Sequence, residues 1–334
     1  MTALVAVVCA YLGIDVAKTK LDVVLHFADR SIHQVFANTP QGFEALDSWL
    51  QQMHSLRPEQ VHACLEATGS YSDAIAHFLF ARGYPVSVLN TAVLVDYRKY
   101  KNIRSKTDQL DAQLLARYGH DEQPRLWKPL PPAILTLRYL LAHRDDVQHM
   151  LRQERNRQEA NRMTDWIRQQ VAQHVTALER QFHETERQIK AHLKQYDELK
   201  AVWMRLQSIP GIGWLSAARL LAHLGEISRF QQVGSVVSLA GLAVKQSSSG
   251  TSVRGNAQID RHGRKDLRQS MYMCAMVALR CSPHMQAWAK RLQAQGKPKK
   301  VILVAVMRKL LHLAYGVWKT QTDYDPEVAF PAGA

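Results

Sequence analysis

Cysteine is scarce in this chain and is not spaced for structural use. The four residues, Cys9, Cys64, Cys274 and Cys281, make no C-x-x-C pair and no zinc-ligand spacing. That pattern predicts reduced thiols in a reducing compartment and no structural zinc. Acidic residues are in deficit too, with 29 Asp and Glu against 43 Lys and Arg among 334 residues, a net charge of +14. A surplus of this size predicts a polyanionic partner, nucleic acid before any other. Uninterrupted apolar runs long enough for a membrane are lacking. The most apolar stretch, "VILVAVMRKLLHLAYGVW", carries Arg308, Lys309 and His312, groups too costly for a span, so a packed helix is expected there. The apolar start "MTALVAVVCAYLGI" has no basic segment before it and runs into "DVAKTK" without a cleavage signal. It reads as a strand with a short lead-in, not as an export signal.

The first 128 residues alternate strand and helix signals. "YLGIDVA", "KLDVVLHF" and "SIHQVFAN" read as three strands in an antiparallel meander. A helix follows in "TPQGFEALDSWLQQM", with Thr39 as N-cap and Pro40 at the first position. Then come a strand, "VHACLEAT", a helix ended by Gly83, and a strand, "YPVSVLN". This order predicts an α/β unit of the RNase H-like class over residues 1–128.

Four carboxylates fall at telling places in that order. Asp15 interrupts the apolar first strand, and Glu66 stands near the end of "VHACLEAT". In "SKTDQLDAQLLARYG", Asp108 and Asp111 are three residues apart and so share one helix face. Brought to one sheet edge, these like charges would need divalent cations, and hard Mg²⁺ favours carboxylate oxygen. Two such ions could activate an attacking oxygen and stabilise a leaving one in phosphodiester chemistry. A helix-surface Asp pair alone is more often merely solvated; Asp15 and Glu66, set among apolar strand residues, are not explained that way. "GIDVAKTKLDVVL" also has the look of a first phosphate loop of the actin and sugar-kinase superfold, but no D-x-G second loop exists anywhere in the chain.

Proline and glycine are absent from Ala133 to Ile209, which predicts long helices over residues 129–205. A 4,3 spacing joins Leu178, Phe182, Thr185, Ile189, His192, Tyr196, Leu199, Trp203 and Leu206, seven of them apolar or aromatic. Such a seam serves either a coiled coil between chains or packing within one domain. From residue 206 to 334 a third segment is expected. It opens on "LQSIPGIGWLSAARLLAHLG", a helix-hairpin-helix pattern in which Gly211 and Gly213 would let backbone amides approach a phosphate; a tight helix-helix turn needs the same glycines. Then "AVKQSSSGTSVRGNAQIDRHGRKDLRQSMYM" sets serines beside Arg254, Arg261, Arg264, Lys265 and Arg268. Residues 245–310 hold 14 Lys and Arg against 2 Asp and Glu, a local net of +12, so a phosphate backbone is the natural partner here. Lys106, beside the Asp108 pair, belongs with these expected nucleic-acid contacts. A serine in such a loop could attack phosphorus, or the loop could be a surface or a phosphate nest.

Five stretches in order, "GIDVAKTKLDV", "CLEATGSY", "SKTDQLDA", "IPGIG" and "SSSGTSVRG" followed by "HGRKDLRQSMYM", together resemble the insertion sequence 110 family of transposases. These are bridge-RNA-guided recombinases with a RuvC-like DEDD domain and a C-terminal serine-bearing domain. The resemblance spans nearly the whole chain. It implies a tetrad of Asp15, Glu66, Asp108 and Asp111 holding Mg²⁺, two ions per site, and a catalytic serine before the glycine of S-G-[ST]-S-x-R-G, here Ser249, with Ser247, Ser248 and Ser252 close by. It further implies serine attack on DNA, a phosphoserine link, donor and target duplexes chosen by a structured non-coding RNA, and a dimer or tetramer in which one protomer's tetrad meets another's serine. A cytoplasmic, nucleoid-associated protein with no membrane partner is expected. A junction-resolving nuclease using the tetrad alone, or a non-catalytic nucleic-acid-binding protein, would carry part of the same pattern.

Overall fold

Alternation in the first strand sorts its residues onto two faces, and everything in the N-terminal half follows from that. The structure, a computed structural model, describes residues 8–330 apart from 28–29, 55, 68, 106, 160–162, 246–247, 250–252, 255–257 and 261–262. In β1 (Ala10–Val16), Leu12, Ile14 and Val16 lie on one side and Tyr11, Gly13 and Asp15 on the other. Strands β2 (Lys20–Phe27) and β3 (Arg30–Ala37) continue the antiparallel meander. After α1 (Pro40–His54) come β4 (Val61–Glu66), α2 (Ser70–Ala81) and β5 (Val86–Leu89), the two strands parallel to β1 and to each other. The sheet order is β3-β2-β1-β4-β5, as the strand and helix signals predict. Central strands β1, β2 and β4 are buried along nearly their whole length, while edge strand β3 is mostly exposed.

The two faces are covered by different helices. Leu12, Ile14, Leu21, Val23, Leu25, Ala63 and Leu65 pack with Phe43, Leu46 and Leu50 of α1 and Ile75 and Leu79 of α2. Opposite them, α3 (Thr91–Tyr100) and α4 (Asp108–Glu122) supply Leu94 and Leu115 around Cys64, and Ala112 and Ala116 against Val24. Helix α4 comes unusually close. A methyl group on Gly13 would stand 1.9 Å from the Ala112 carbonyl oxygen and 2.4 Å from the Ala116 nitrogen. Further along α4, a methyl on Gly119 would meet Cys64 Sγ at 2.6 Å. Because Gly13 faces Ala112 and Ala116 while Tyr11 lies beside Gly119, α4 runs against the direction of β1. Its first turn, with Asp108 and Asp111, therefore lies at the Asp15 end of the strand.

A second compact unit begins at Leu130, one residue past Pro129, which closes the first. Helices α5 (Pro132–Gln158) and α6 (Asp165–Gln195) pack along each other, burying Val147, Leu151, Val171, Val175 and Leu178 between them. Arg144 is buried in the same pair, donating to Glu186 Oε1 at 2.8 and 3.0 Å and lying over the Phe182 ring. The chain breaks at Tyr196 before α7 (Asp197–Gln207), so the long apolar seam is two helices, not one. Its Leu178, Thr185, Ile189, Trp203 and Leu206 are all buried inside this chain, which is the packing-within-a-domain alternative. No core boundary exists at 205/206. Leu137, Leu141, Ile189 and Leu193 share one apolar cluster with residues of α8 (Trp214–Leu224), α9 (Val233–Leu239), α10 (Lys265–Cys281) and α12 (Lys299–Thr320). The expected segments 129–205 and 206–334 are thus one unit.

Helix α12 is long and apolar enough to cross a membrane by length and composition. Its Val306, Leu310, Leu311 and Ala314 are nevertheless wholly buried in the shared core, as expected of a packed helix. Between α9 and α10, β6 (Val244–Lys245) pairs with β9 (Gln258–Ile259), and inside them β7 (Ser248–Ser249) pairs with β8 (Val253–Arg254). Helix α11 (Pro283–Ala294), capped by Ser282, and α13 (Pro326–Ala329) complete the fold.

Replacing Gly13 by alanine should lower stability by roughly 3 kcal/mol, the upper part of the usual overpacking range, because backbone atoms must retreat. Gly316→Ala, in open space inside α12, should instead add about 0.5–1 kcal/mol. Urea unfolding of both variants followed by circular dichroism checks the pair; an unchanged Gly13→Ala midpoint would contradict the close approach.

Candidate active site

Strand register gathers the acids. Asp15 pairs directly with Asp22 across the β1–β2 ladder, so both side chains stand on the α4 face. Leu65 pairs with Ile14, which ends β4 with Glu66 level with Asp15 and on that same face. Helix α4 begins at Thr107, whose Oγ1 accepts from the Leu110 amide at 3.2 Å, and presents Asp108 and Asp111 in its first turn. That position suits carboxylates, since the helix N-terminus is its positive end. The four acids expected from the sequence are therefore brought to one sheet edge, joined by a fifth, Asp22, only 5% exposed.

The charge of this edge is felt most by Asp15. Burial is the first cause that pushes its carboxyl up, to about 6, and Asp111, Asp108, Glu66 and Asp22 each add repulsion. Three of the other acids, Asp22, Asp108 and Asp111, are paired with basic side chains of the chain. Lys20 Nζ lies 2.7 Å from Asp108 Oδ2 and 2.8 Å from Asp22 Oδ2, bridging β2 to α4. Hydrogen bonds to Asp108 and then Asp22 hold its ammonium above the ordinary lysine range. His33 Nε2 stands 3.0 Å from Asp22 Oδ1, and the Arg98 guanidinium is paired with Asp111 while its Nη1 donates to Ser105 O at 3.1 Å.

Among the described residues, no three acidic, histidine or cysteine side chains stand close enough to ligate one metal ion. Lys20 and Arg98 draw Asp108 and Asp111 toward themselves instead. The donor set is nonetheless all carboxylate oxygen, the chemistry a hard divalent cation prefers, and the site already carries cations to balance it. Lys20, Asp22, His33 and Arg98 were not among the residues singled out from sequence. Lys20 and Asp22 share the parity of Asp15 once the 17–19 turn closes a hairpin; Arg98 arrives from α3 and has no local signal.

In the second unit, the serine-rich loop is a nested hairpin in which Ser249 pairs with Val253 and Ser248 with Arg254. Ser247 and Ser252 lie outside the described residues, as do Lys106 and Arg261. The hairpin is rooted where Gly241, at φ +66°, meets Gly263: a methyl on Gly263 would stand 2.2 Å from the Gly241 nitrogen. Arg264 N donates to Leu239 O at 2.6 Å and Asp260 N to Ala243 O at 2.7 Å, closing the root. Arg264 and Lys265 are exposed at the start of α10. Arg268 is partly buried and donates to Ala240 O at 3.2 Å, bracing the root.

Gly211 takes φ +92°, and a methyl there would meet Cys274 O at 2.5 Å, so close packing on α10 by itself calls for a glycine here. Gly213 has open space around it and precedes the first amides of α8. Nearby, His223 Nε2 lies 2.8 Å from Asp266 Oδ2, holding that carboxyl below its usual range.

Known proteins match both units. Residues 12–161 match the family profile of DEDD transposases of IS110 elements, and residues 204–290 match the transposase IS116/IS110/IS902 family. The pilin gene-inverting protein of Moraxella bovis is 34% identical over 319 residues, covering 95% of this chain and 98% of that protein. Its namesake in Moraxella lacunata is 34% identical over the same share of both chains. An insertion element IS110 protein of Streptomyces coelicolor, described as an uncharacterized 43.6 kDa protein, is 29% identical over 163 residues, 49% of this chain and 38% of that one. With an acid-edged α/β unit ahead of a helical unit and a relative matched from end to end, the chain belongs to the IS116/IS110/IS902 family of transposases.

Proposed function

We propose that the chain is a Mg²⁺-dependent DNA recombinase in which the acid edge and Ser249 act on one phosphodiester. The convergence of Asp15, Glu66, Asp108 and Asp111 carries this reading. Carboxylates gathered at such a cost to Asp15, with Lys20 and Arg98 as counter-charges, make a site built around positive charge. Asp15, Glu66, Asp108 and Asp111 would hold two Mg²⁺ ions, which when bound supply charge neutralisation at the scissile phosphate. Ser249 Oγ would attack phosphorus, losing its proton, and the bond to the 3′-oxygen would break. That oxygen leaves as a free 3′-hydroxyl and the phosphate stays on the serine. The bond energy is kept in the protein-DNA link, so rejoining needs no ATP.

A homo-oligomer, dimer or tetramer, in which one protomer's tetrad works with another's serine, follows the family resemblance. The charge of residues 245–310, with Arg254, Arg261, Arg264 and Lys265, suits phosphate backbones of donor and target duplexes. Choice of both sites by a structured bridge RNA follows the family resemblance, as does a cytoplasmic, nucleoid-associated location. A second reading, inversion of a DNA segment between two sites, is favoured by the end-to-end similarity to pilin gene-inverting proteins; the insertion-element relative covers only half of the chain.

Two outcomes test the site. The raised Asp15 carboxyl makes ionisation oppose folding. This cost is absent below about pH 4, grows from pH 4 to 6, and is complete above 6. Asp15→Asn should therefore melt higher than the metal-free wild type at pH 7.5 and equal to it near pH 4. Millimolar Mg²⁺ should raise the wild-type melting temperature and leave Asp15→Asn unmoved, as differential scanning fluorimetry would read; a Mg²⁺ shift kept in the variant would refute the metal assignment.

For the reaction, two-plasmid recombination with sites in direct and inverted orientation separates integration from inversion. Ser249→Ala, Asp15→Ala and Glu66→Ala should each lose at least about 10³-fold, and only wild type should leave a phosphoserine peptide on cut DNA. Full recombination by Ser249→Ala would refute the nucleophile assignment, and cutting without rejoining by that variant would point to a nuclease using the tetrad alone. Copurified RNA, sequenced and then removed with ribonuclease, tests guidance: activity that survives RNA removal would exclude it.

A further inference from the structure

The C-terminal turn of α3 carries features that the acid edge does not use. Residues 97–106, "YRKYKNIRSK", hold five basic residues and no acid. The turn is firmly built. Tyr97 is buried, donates its hydroxyl to Asp121 Oδ2 at 2.5 Å and sets its ring edge-on to Tyr118. Lys101 Nζ lies 2.8 Å from the Asp121 carboxylate, and Asn102, at φ +54°, turns the chain so that Ile103 N donates to Arg98 O at 3.1 Å. None of these contacts needs Tyr100. That residue is 75% exposed, with Lys101 Nζ 5.5 Å from its ring centroid. Lys99, whose Nζ lies 3.7 Å from the exposed Asp96 Oδ1, and Arg104 are exposed on either side of it.

An aromatic ring left in water on a rigid, cationic turn contributes little to folding. It is what a flipped or unpaired base requires: a flat face for stacking, enriched by a cation, with further cations for the adjoining phosphates. Arg98, two residues before Tyr100, pairs with Asp111 at the acid edge, while Lys101 pairs with Asp121 near the other end of α4, about 15 Å along that helix, so a strand leaving the acids along α4 would reach the turn within a few nucleotides. We propose that this turn is a stacking platform for an unpaired base of the DNA strand engaged at the acid edge. Tyr100 takes the base, and Lys99 and Arg104 hold the flanking phosphates. The inference rests on the reading that the acid edge acts on DNA, and adds that the strand is presented there unpaired.

Binding alone tests it, in EDTA, with full-length Asp15→Asn protein as the reference and a labelled 15-nucleotide single-stranded DNA carrying one 5-iododeoxyuridine. In that background Tyr100→Ala should weaken binding roughly 5- to 100-fold and abolish the photocrosslink at residue 100, while Tyr100→Phe stays within about two-fold. The salt dependence should be unchanged in Tyr100→Ala and fall by about 0.7 each in Lys99→Ala and Arg104→Ala. Because Tyr100 is exposed, its variants should melt with the reference. Binding by Tyr100→Ala within two-fold of the reference, an equal loss in Tyr100→Phe, or stronger competition by RNA of the same sequence would each overturn the platform. Recombination enters separately. A Tyr100-dependent crosslink in a chain that never recombines DNA would refute the enzymatic reading and keep the platform; recombination with no Tyr100 effect on binding would do the reverse.

Discussion

The backbone of α4 lies directly on β1, and the distance is set by Gly13, where even a methyl group would meet a carbonyl oxygen at 1.9 Å. From that contact the geometry of the acid edge follows. It sends the first turn of α4 to the end of β1 that carries Asp15, and the strand ladders bring Asp22 and Glu66 to the same face. A larger residue at Gly13 would separate Asp15, Asp22 and Glu66 on the strands from Asp108 and Asp111 on α4. Burial first, and repulsion from the neighbouring acids after it, raise the Asp15 carboxyl, a local cost set within the apolar packing of α1, α2 and α4 on the sheet. On the proposed reading, stability is given up locally for a functional arrangement, as is common at active sites.

The helical unit solves a different problem. It must present a polar, basic hairpin while keeping one apolar core, and it does so by rooting the hairpin at two touching glycines, Gly241 and Gly263, with Arg268 as a brace. Side chains are removed from the root so that the strands can leave the core close together. The core beneath runs from Leu137 in α5 to Trp318 in α12 without interruption, so movement of one helix would be felt by the others.

Much of the first unit was legible in the sequence because its signals are local. A period of two marks the strands, Thr39, Pro40 and Gly83 punctuate the helices, and an aspartate inside an apolar strand stands out in any context. The set of four acids followed from where these elements end. Asp22 and Lys20 were hidden because their part depends on strand register, and Arg98 because its partner comes from another helix. Glycine is ambiguous in sequence: at Gly211 the need for close packing and the need for an open amide predict the same residue, and the packing on Cys274 is visible only in the structure. The apolar seam misled in a related way. Its spacing continues through Tyr196, where the helix breaks without any proline or glycine to mark it.

Lys20 joins Asp22 on the sheet to Asp108 on the helix, and this has a bearing on biosynthesis. Many sites rich in carboxylates fold only when their ion is present, so that the supply of metal limits the yield of protein. Here an ammonium and a guanidinium from the chain itself pair with Asp22, Asp108 and Asp111, which offsets part of the repulsion as the sheet closes on the helix. If the acids hold a divalent ion as proposed, its supply would govern when the protein works, leaving how much of it accumulates to be decided elsewhere.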